Sequence, residues 1–310
     1  MPLTEPQRTD DGYWTECRAR AMGSTAHVVV GDAPPGVTEW ALEEIERLEN
    51  CWSRFRSGSE LARLNASAGR WLDVSPPMLL ALTCAVDLHL ATRGLFDPTI
   101  LESLERAGYD RSFESVDRDA APAGAPGAPV TAPGYGRVDI DVDAARVRVP
   151  AGVRIDLGGL GKGLAADLVS RGLVDRGART ALVSLGGDMR ARGESPDGAW
   201  PIPVEHPLDD TRVAFVHPLA DAALVSSTRR IRAWRRADQE FHHIIDPRTG
   251  DSARVPIVAV VAAARDAWWA EGIAKAVMIA GAAEGPDLAR AAGVRAWLFV
   301  DDGRVIETEP

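Results

Sequence analysis

The sequence predicts an α+β fold with mixed, largely antiparallel sheets and helices packed against them. Strand candidates outnumber helix candidates along the 310 residues, and many are joined by tight turns typical of β-hairpins. The few long helix candidates do not alternate regularly with the strands, as a doubly wound parallel sheet would require. We therefore expect sheets built from hairpins and covered by a small number of helices.

The first half of the chain contains three helix candidates and one hairpin. Apolar residues recur at helical spacing after a Pro-Pro-Gly turn, and Thr38 is expected to cap the helix that they form. Ser59 is expected to cap the second helix. The predicted elements are a strand at 26–30, helices at 39–50, 59–65 and 78–92, and a hairpin of strands at 137–142 and 146–149.

The second half is richer in strands. An amphipathic run over 164–174 predicts a helix directly after a glycine-rich loop. The Asp-Pro-Arg-Thr-Gly segment at 246–250 predicts a turn, because proline sets φ and glycine accepts a positive φ. The predicted elements are strands at 180–184, 200–205, 213–216, 223–225, 241–245, 255–262, 296–300 and 305–307, and a helix at 268–280.

Length and composition bound the domain organisation. The chain is long enough to bury a sizeable core, and its 45% hydrophobic and 26% charged residues are ordinary for a soluble globular protein. We expect a disordered N-terminal tail over residues 1–12 and a single domain over 13–310. A stretch dominated by Ala, Pro and Gly predicts a flexible connection at 120–136.

Charge and cysteine usage restrict partners and location. The net charge of −10 argues against nucleic acid or an anionic membrane as a partner. Two interpretations of the basic cluster at 229–236 stay open: a phosphate site, or the solvated face of a strand or hairpin. The longest apolar run, 256–264, is too short to span a bilayer. Three widely spaced cysteines predict unpaired thiols in a reducing compartment. With no secretory signal in the polar first residues, we expect a cytoplasmic protein.

The most informative segment is a glycine-rich loop that runs from Asp156 to Gly163. Four glycines and Lys162 separate an apolar strand from a helix, so backbone N–H groups and the positive end of the helix dipole can meet a phosphate. A Walker A motif would need glycine at Asp156, and the dinucleotide fingerprint would need glycine at Leu164. The loop alone leaves open another kind of phosphate site or a tight strand-to-helix turn.

Several short motifs accompany this loop in a fixed order. They are AMGS at 21–24, SRFR at 53–56 with SEL at 59–61, GLFDPT at 94–99, GYD at 108–110, GGD at 186–188 and HIIDPRTG at 243–250. In this order they resemble the FAD:protein FMN transferase family, the ApbE-type flavin transferases. HIIDPRTG is the most specific of them, and the resemblance covers nearly the whole length.

The resemblance implies a T-fold-like architecture of two intimately packed subdomains and an enzyme that uses FAD as substrate. Such an enzyme transfers the FMN moiety of FAD to a Ser or Thr hydroxyl of an acceptor protein and releases AMP. Phosphoryl-type transfer of this kind needs oriented phosphates and neutralised charge. An FAD pyrophosphatase giving FMN and AMP, or a non-catalytic FAD-binding protein, remain alternatives.

The resemblance also implies site residues. His243 would lie close to the reacting phosphate, in an acid–base or positioning role, whereas the neighbouring His242 is expected to face away. Three of the implied flavin contacts have a structural alternative: a core position for Phe55, a loop cap for Asp156 and a solvated position for Lys162. The implied flavin contacts are Met22, Phe55, Ala107, Gly108, Tyr109, Asp156, Lys162 and Ile245.

A Mg²⁺ site is implied as well, but two of its positions are changed. The resemblance implies a glycine-loop carbonyl, here at Gly161, and an Asp and a Thr one helical turn apart, where this chain has Glu271 and Lys275. A charged ammonium has no lone pair for a cation. Either the Lys275 ammonium replaces the metal in catalysis with Glu271, the metal binds through other ligands, or transfer activity is lost. A further alternative is a plain i,i+4 pair on a helix surface.

Overall fold

A computed structural model of the protein describes residues 7–9, 12–113, 128–236 and 239–310. The strands are β1 (Gln7–Thr9), β2 (Gly12–Ala21), β3 (Ser24–Gly31), β4 (Trp71–Asp73), β5 (Asp139–Asp141), β6 (Arg146–Arg148), β7 (Thr180–Leu185), β8 (Asp188–Gly193), β9 (Trp200–His206), β10 (Asp209–Leu219), β11 (Ala223–Thr228), β12 (Ala233–Arg236), β13 (Gln239–His242), β14 (Ile245–Asp246), β15 (Asp251–Ser252), β16 (Ile257–Ala264), β17 (Arg295–Val300) and β18 (Val305–Thr308). The helices are α1 (Val37–Trp52), α2 (Glu60–Asn65), α3 (Pro76–Ala91), α4 (Leu101–Ala107), α5 (Gly161–Asp175) and α6 (Ala267–Ala291).

The central feature is a nine-stranded sheet in the order β1-β2-β3-β7-β8-β11-β16-β17-β18. Its neighbouring strands pair antiparallel throughout. A three-stranded sheet, β4-β6-β5, and three separate hairpins complete the strand pairing of the described residues. The predicted α+β class with largely antiparallel sheets is confirmed.

The two faces of the nine-stranded sheet are covered differently. Helices α1, α5 and α6 pack against one face, and the largest buried hydrophobic cluster lies between them and the sheet. The β9–β10 hairpin covers part of the other face, where Leu182, Ile202 and Phe299 share a second, smaller cluster. Among the described residues, no helix is both long enough and apolar enough to cross a bilayer.

Helices α5 and α6 approach closely near their N-termini. A Cβ atom on Gly163 would lie 2.4 Å from the carbonyl oxygen of Ala267, so only glycine allows this approach. The Asp167 carboxylate accepts hydrogen bonds from the N–H groups of Ala267 (3.0 Å) and Trp268 (2.9 Å), and it pairs with the buried Arg190. At Gly163 the glycine-rich loop therefore lies close to the backbone of α6. This contact places the loop beside the first turns of α6.

Of the predictions for helix caps and turns, two are confirmed and one is wrong. Ser59 caps α2 by accepting a hydrogen bond from the N–H of Ala62 at 2.9 Å, as predicted. The prediction for Thr38 is wrong, because α1 begins earlier, after Gly36, and the Thr38 hydroxyl donates to Glu39. The predicted turn at 246–250 is confirmed, with Gly250 at φ +72°.

Most predicted elements differ from the observed ones in their bounds, and two of these differences bear on the cavity described below. The strand predicted over 241–245 is broken: β13 ends at His242, and β14 begins at Ile245. The interruption places His243 outside the hairpin that β13 forms with β12. The helix predicted over 268–280 continues to Ala291, but it bends at Gly281, whose φ of +77° is non-helical.

The predicted unordered segments fall largely outside the described residues. Within the expected N-terminal tail, residues 1–12, Gln7–Thr9 forms β1 and pairs with β2. Within the expected connection, residues 120–136, only 128–136 are described, and Tyr135 there is buried, with its hydroxyl donating to the carbonyl of Leu82.

Replacing Gly163 by alanine is expected to lower the free energy of unfolding by about 3 kcal/mol, because the new methyl group would overlap the backbone of α6. Urea denaturation measures this change. Gly58→Ala is the matched control: a Cβ there meets nothing within 4 Å, so a change within about 0.5 kcal/mol is expected. Equal effects of the two substitutions would contradict the proposed contact between α5 and α6.

Candidate active site

A cavity of about 350 Å³ opens beside the glycine-rich loop. Its walls come from that loop, the first turns of α6, the segment after α1 and the segment between β13 and β15. Nine of the site residues expected from the sequence line this cavity: Met22, Phe55, Tyr109, Asp156, Gly161, Lys162, His243, Ile245 and Lys275. Segments that are distant in the sequence therefore meet at one concave surface.

Glu271 lies beneath the floor of the cavity and joins its charged groups. The residue is fully buried, and its Oε2 atom accepts a hydrogen bond from the N–H of Gly163 at 2.8 Å. Its Oε1 atom lies 3.2 Å from the Lys162 ammonium and 3.0 Å from the Lys275 ammonium. Lys162 also pairs with the buried Asp188 carboxylate at the start of β8. Two lysines and two acids thus form a compact cluster.

The ionisation of this cluster follows from its contacts. Burial alone would raise the pKa of Glu271, but Lys162, Lys275 and the Gly163 N–H lower it to about 2. Burial lowers the pKa of Lys162 to about 8, against the opposing attraction of Glu271. At neutral pH we therefore treat Glu271 as a carboxylate and Lys162 as an ammonium. The alternative of a surface i,i+4 pair is wrong, because Glu271 is not exposed at all.

The side chains of Glu271 and Lys275 do not fit a Mg²⁺ ion as ligands. Both oxygens of Glu271 are already occupied by ammonium and N–H donors, and Lys275 stands where a ligand would be needed. Two unit charges 4 Å apart repel by about 4 kcal/mol at an effective dielectric constant of about 20, and a divalent ion beside one ammonium would meet roughly twice that. Across the described ranges, no group of three or more His, Cys, Asp or Glu side chains is arranged to hold a metal.

The glycine-rich loop is held in shape by Asp156. Its Oδ1 atom accepts a hydrogen bond from the N–H of Gly158 at 2.8 Å, and its Oδ2 atom lies 2.7 Å from Nε of Arg54. Asp156 therefore caps the loop, which is the structural alternative considered for it, and it also lines the cavity. Lys162, in the first turn of α5, has a side chain only 16% exposed, so the solvated alternative for it is wrong.

Aromatic side chains form another part of the cavity lining. Phe55, Tyr109 and Phe113 line the cavity and constitute this aromatic wall. The Arg54 guanidinium lies 4.1 Å from the ring centroid of Phe55 and 4.5 Å from that of Tyr109. Phe55 is 42% exposed, which rules out the core position considered for it. The wall thus offers an open ring face to a planar ligand.

Ala107 and Gly108 lie behind the aromatic wall and do not line the cavity. The carbonyl oxygen of Ala107 accepts a hydrogen bond from Nε1 of Trp234 at 2.7 Å, which fixes the ring that packs 5.7 Å from Tyr109. Gly108 ends α4 with a φ of +105° and turns the chain so that Tyr109 faces the cavity. These two residues shape the wall.

His243 lies in the interruption between β13 and β14 and lines the cavity. Burial, assisted by repulsion from Arg232 and Lys275, places its pKa well below the ordinary value, so the imidazole is neutral at pH 7. Within the described part of the chain, its Nδ1 atom has no hydrogen-bond partner. His242 instead approaches the carbonyl oxygen of Ala253 at 3.1 Å and lines a different cavity, as expected.

Four residues of the site were not singled out from the sequence. Arg54 braces Asp156, Asp188 holds Lys162, Trp234 supports Tyr109, and Arg232 lines the cavity beside His243. Arg232 belongs to the basic cluster noted above, and Asp188 belongs to the Gly-Gly-Asp turn, so a signal for each was present. Trp234 belongs to no recognisable motif. Its contact with Tyr109 depends on the pairing of β12 with β13, which the sequence does not reveal.

Comparison with known proteins identifies the family. A model described as the ApbE family matches residues 22–298. The chain belongs to the ApbE family. Over 265 residues it is 32% identical to the FAD:protein FMN transferase of Rhodobacter capsulatus, which covers 83% of this chain but only 49% of that relative. The chain thus spans about half the length of the Rhodobacter protein.

Two further members of the ApbE family match over most of their length. The FAD:protein FMN transferase of Vibrio cholerae is 27% identical over 294 residues, which cover 91% of this chain and 86% of that relative. The crystal structure of the ApbE protein from Thermotoga maritima matches with a TM-score of 0.82 at 26% identity, covering 96% of this chain and 97% of the other. The chain therefore shares the fold of this ApbE protein over nearly its whole length.

Replacing Glu271 by glutamine is expected to lower the free energy of unfolding by about 3 kcal/mol at pH 7, because two partly buried ammonium groups lose their shared, fully buried carboxylate. The folded-state pKa lies below the ordinary value, so the stabilisation is present above about pH 4.5 and is lost as pH falls towards 2. Urea denaturation at pH 7 and pH 3 measures both effects.

The matched control is Glu102→Gln, which removes an exposed helical i,i+4 pair with Arg106. A change below about 0.5 kcal/mol is expected there. A Glu271→Gln effect no larger than that of Glu102→Gln would contradict the assigned ion-pair cluster.

Proposed function

We propose that this chain binds FAD in the cavity and transfers the FMN moiety to a Ser or Thr hydroxyl of an acceptor protein, with release of AMP. The observation that carries the proposal is one cavity whose lining holds both an aromatic wall and the two lysines of its floor. FAD likewise combines a planar flavin with a pyrophosphate. The relatives from Rhodobacter capsulatus and Vibrio cholerae, both called FAD:protein FMN transferase, support this assignment.

The aromatic wall is suited to the isoalloxazine ring. The open face of Phe55 and the nearby Tyr109 ring give a stacking surface, and the Arg54 guanidinium adds a cation beside it. Met22 and Ile245 extend the apolar lining. The pyrophosphate would then lie towards Lys162 and Lys275, next to the N-terminus of α5.

The transfer step breaks the pyrophosphate linkage of FAD. The acceptor hydroxyl oxygen attacks the phosphorus atom on the FMN side, and the bridging oxygen leaves with AMP. The hydroxyl proton must leave during this step, and the neutral His243 imidazole at the cavity wall has a ring nitrogen that can accept it. Burial together with repulsion from Arg232 and Lys275 lowers the pKa of this imidazole, and two negative charges of bound pyrophosphate would oppose the repulsion.

We also place the protein in the cytoplasm. Cys17, Cys51 and Cys84 are all buried and unpaired, which accords with a compartment where thiols stay reduced. Burial raises the pKa of each thiol, so none of them is reactive at neutral pH.

Replacing Phe55 by leucine is expected to weaken FAD binding about 5- to 10-fold, because a stacking surface worth about 1 kcal/mol is lost. Titration of FAD followed by flavin fluorescence measures the dissociation constant. Trp71→Leu is the matched control: Trp71 is 41% exposed, as Phe55 is, but lies away from the cavity. Equal binding by wild type and Phe55→Leu would contradict the proposed position of the flavin.

Replacing His243 by alanine is expected to slow AMP release from FAD at least about 100-fold, whereas His242→Ala is expected to leave it within a few-fold of wild type. The assay combines chromatography of AMP with in-gel flavin fluorescence of proteins from a cell extract incubated with the chain and FAD. Transfer gives AMP and fluorescent protein bands. AMP with free FMN and no labelled band supports FAD hydrolysis, and FAD binding without AMP supports a non-catalytic flavin protein; either result overturns the proposed transfer.

A further inference from the structure

We infer that the Lys162–Lys275 pair binds the pyrophosphate of FAD directly and that this chain needs no divalent cation at Glu271. The inference rests on the proposed function for the identity of the substrate. The argument starts from Glu271, whose buried carboxylate holds both ammonium groups at one oxygen, at 3.2 Å and 3.0 Å. Both lysines also line the cavity, so each ammonium can reach a ligand while it stays fixed from below.

Placement and burial make Lys275 part of the cavity floor. Its side chain is only 15% exposed, and its Nζ atom also lies 3.4 Å from the carbonyl oxygen of Glu271 in the preceding turn of α6. These contacts hold the Nζ atom at one position. An ammonium held in this way offers its remaining hydrogens to an oxyanion without the cost of ordering a flexible side chain.

The usage of lysine in the sequence supports a specific role. The chain has 35 lysines and arginines, but Lys162 and Lys275 are its only two lysines. Both contact the same carboxylate, although they are 113 residues apart in the sequence numbering. Lysine presents a compact point charge, whereas arginine presents a wide planar fork. A compact cation suits a position between a buried carboxylate and a phosphate.

Charge balance favours an anion over a cation at this floor. In the absence of ligand, Lys162 and Lys275 are balanced by Glu271 and Asp188. On the cavity wall Arg54 pairs with Asp156 and Arg56 pairs with Glu49, and Arg232 adds a positive charge. A divalent cation would add to this positive charge and would have to displace an ammonium from Glu271. A pyrophosphate group instead brings two negative charges to the ammonium groups.

The two lysines also provide the test. Selective ¹³C labelling of the lysine Cε atoms in the 310-residue chain gives two NMR signals, one from each ammonium-bearing side chain. Adding 10 mM MgCl₂ (about the highest concentration met in assay buffers) without FAD is expected to move neither signal. Adding FAD in EDTA is expected to move both, with a dissociation constant that changes less than about twofold when Mg²⁺ replaces EDTA.

Saturable movement of either signal by Mg²⁺ alone would overturn the inference, and so would FAD binding that requires Mg²⁺. Movement of both signals by FAD in EDTA together with AMP release in EDTA supports the inference and the transfer function. AMP release only with Mg²⁺ overturns the inference but leaves the transfer function standing. FAD-induced movement in EDTA with no AMP under any condition supports the lysine site and overturns the transfer function instead.

Variants of α6 give a second, independent readout. Lys275→Met keeps the length of the side chain but removes its charge, and is expected to weaken FAD binding at least about 10-fold in both EDTA and Mg²⁺. The double change Glu271→Asp with Lys275→Thr is expected to make FAD binding improve on addition of Mg²⁺. Unchanged FAD affinity in folded Lys275→Met, checked by circular dichroism, would overturn the inference.

Discussion

The contact on which the site depends is the bridge from Glu271 of α6 to the glycine-rich loop and α5. One buried carboxylate accepts the N–H of Gly163 and holds the ammonium groups of Lys162 and Lys275. Burying a carboxylate is costly unless it is paired, and here three donors satisfy it. The same contact therefore joins two helices and fixes two positive charges at the floor of a cavity.

The rest of the fold serves to bring these groups together. Asp167 and Arg190 fasten the start of α6 to α5 and to the central sheet, and the interruption after β13 turns His243 towards the cavity. The aromatic wall lines the same cavity as the cationic floor and is braced by Arg54 and Trp234. A cavity lined by both aromatic and cationic groups is suited to a ligand that joins a planar ring to a pyrophosphate. Lys275 itself supplies positive charge at this floor.

Much of this arrangement was predictable from the sequence because local patterns specify local structure. Glycine and capping residues located the loop before α5 and the start of α2, and alternation located most strands. Among the predictions that failed, three depend on tertiary contacts: the start of α1, the break in the strand after His242, and the continuation of α6 past Gly281. The full burial of Glu271 could not be deduced from helical periodicity, since an i,i+4 acid–lysine pair has the same spacing on a surface and beneath a cavity. Trp234 and Arg54 likewise act through neighbours that only the fold supplies.

The most direct test of the account is a crystal structure of the chain with FAD, grown in EDTA. The account predicts pyrophosphate oxygens within hydrogen-bond distance of the Nζ atoms of both Lys162 and Lys275, with the flavin ring against Phe55 and Tyr109. A pyrophosphate that lies away from the two lysines, or flavin bound outside the cavity, would contradict it.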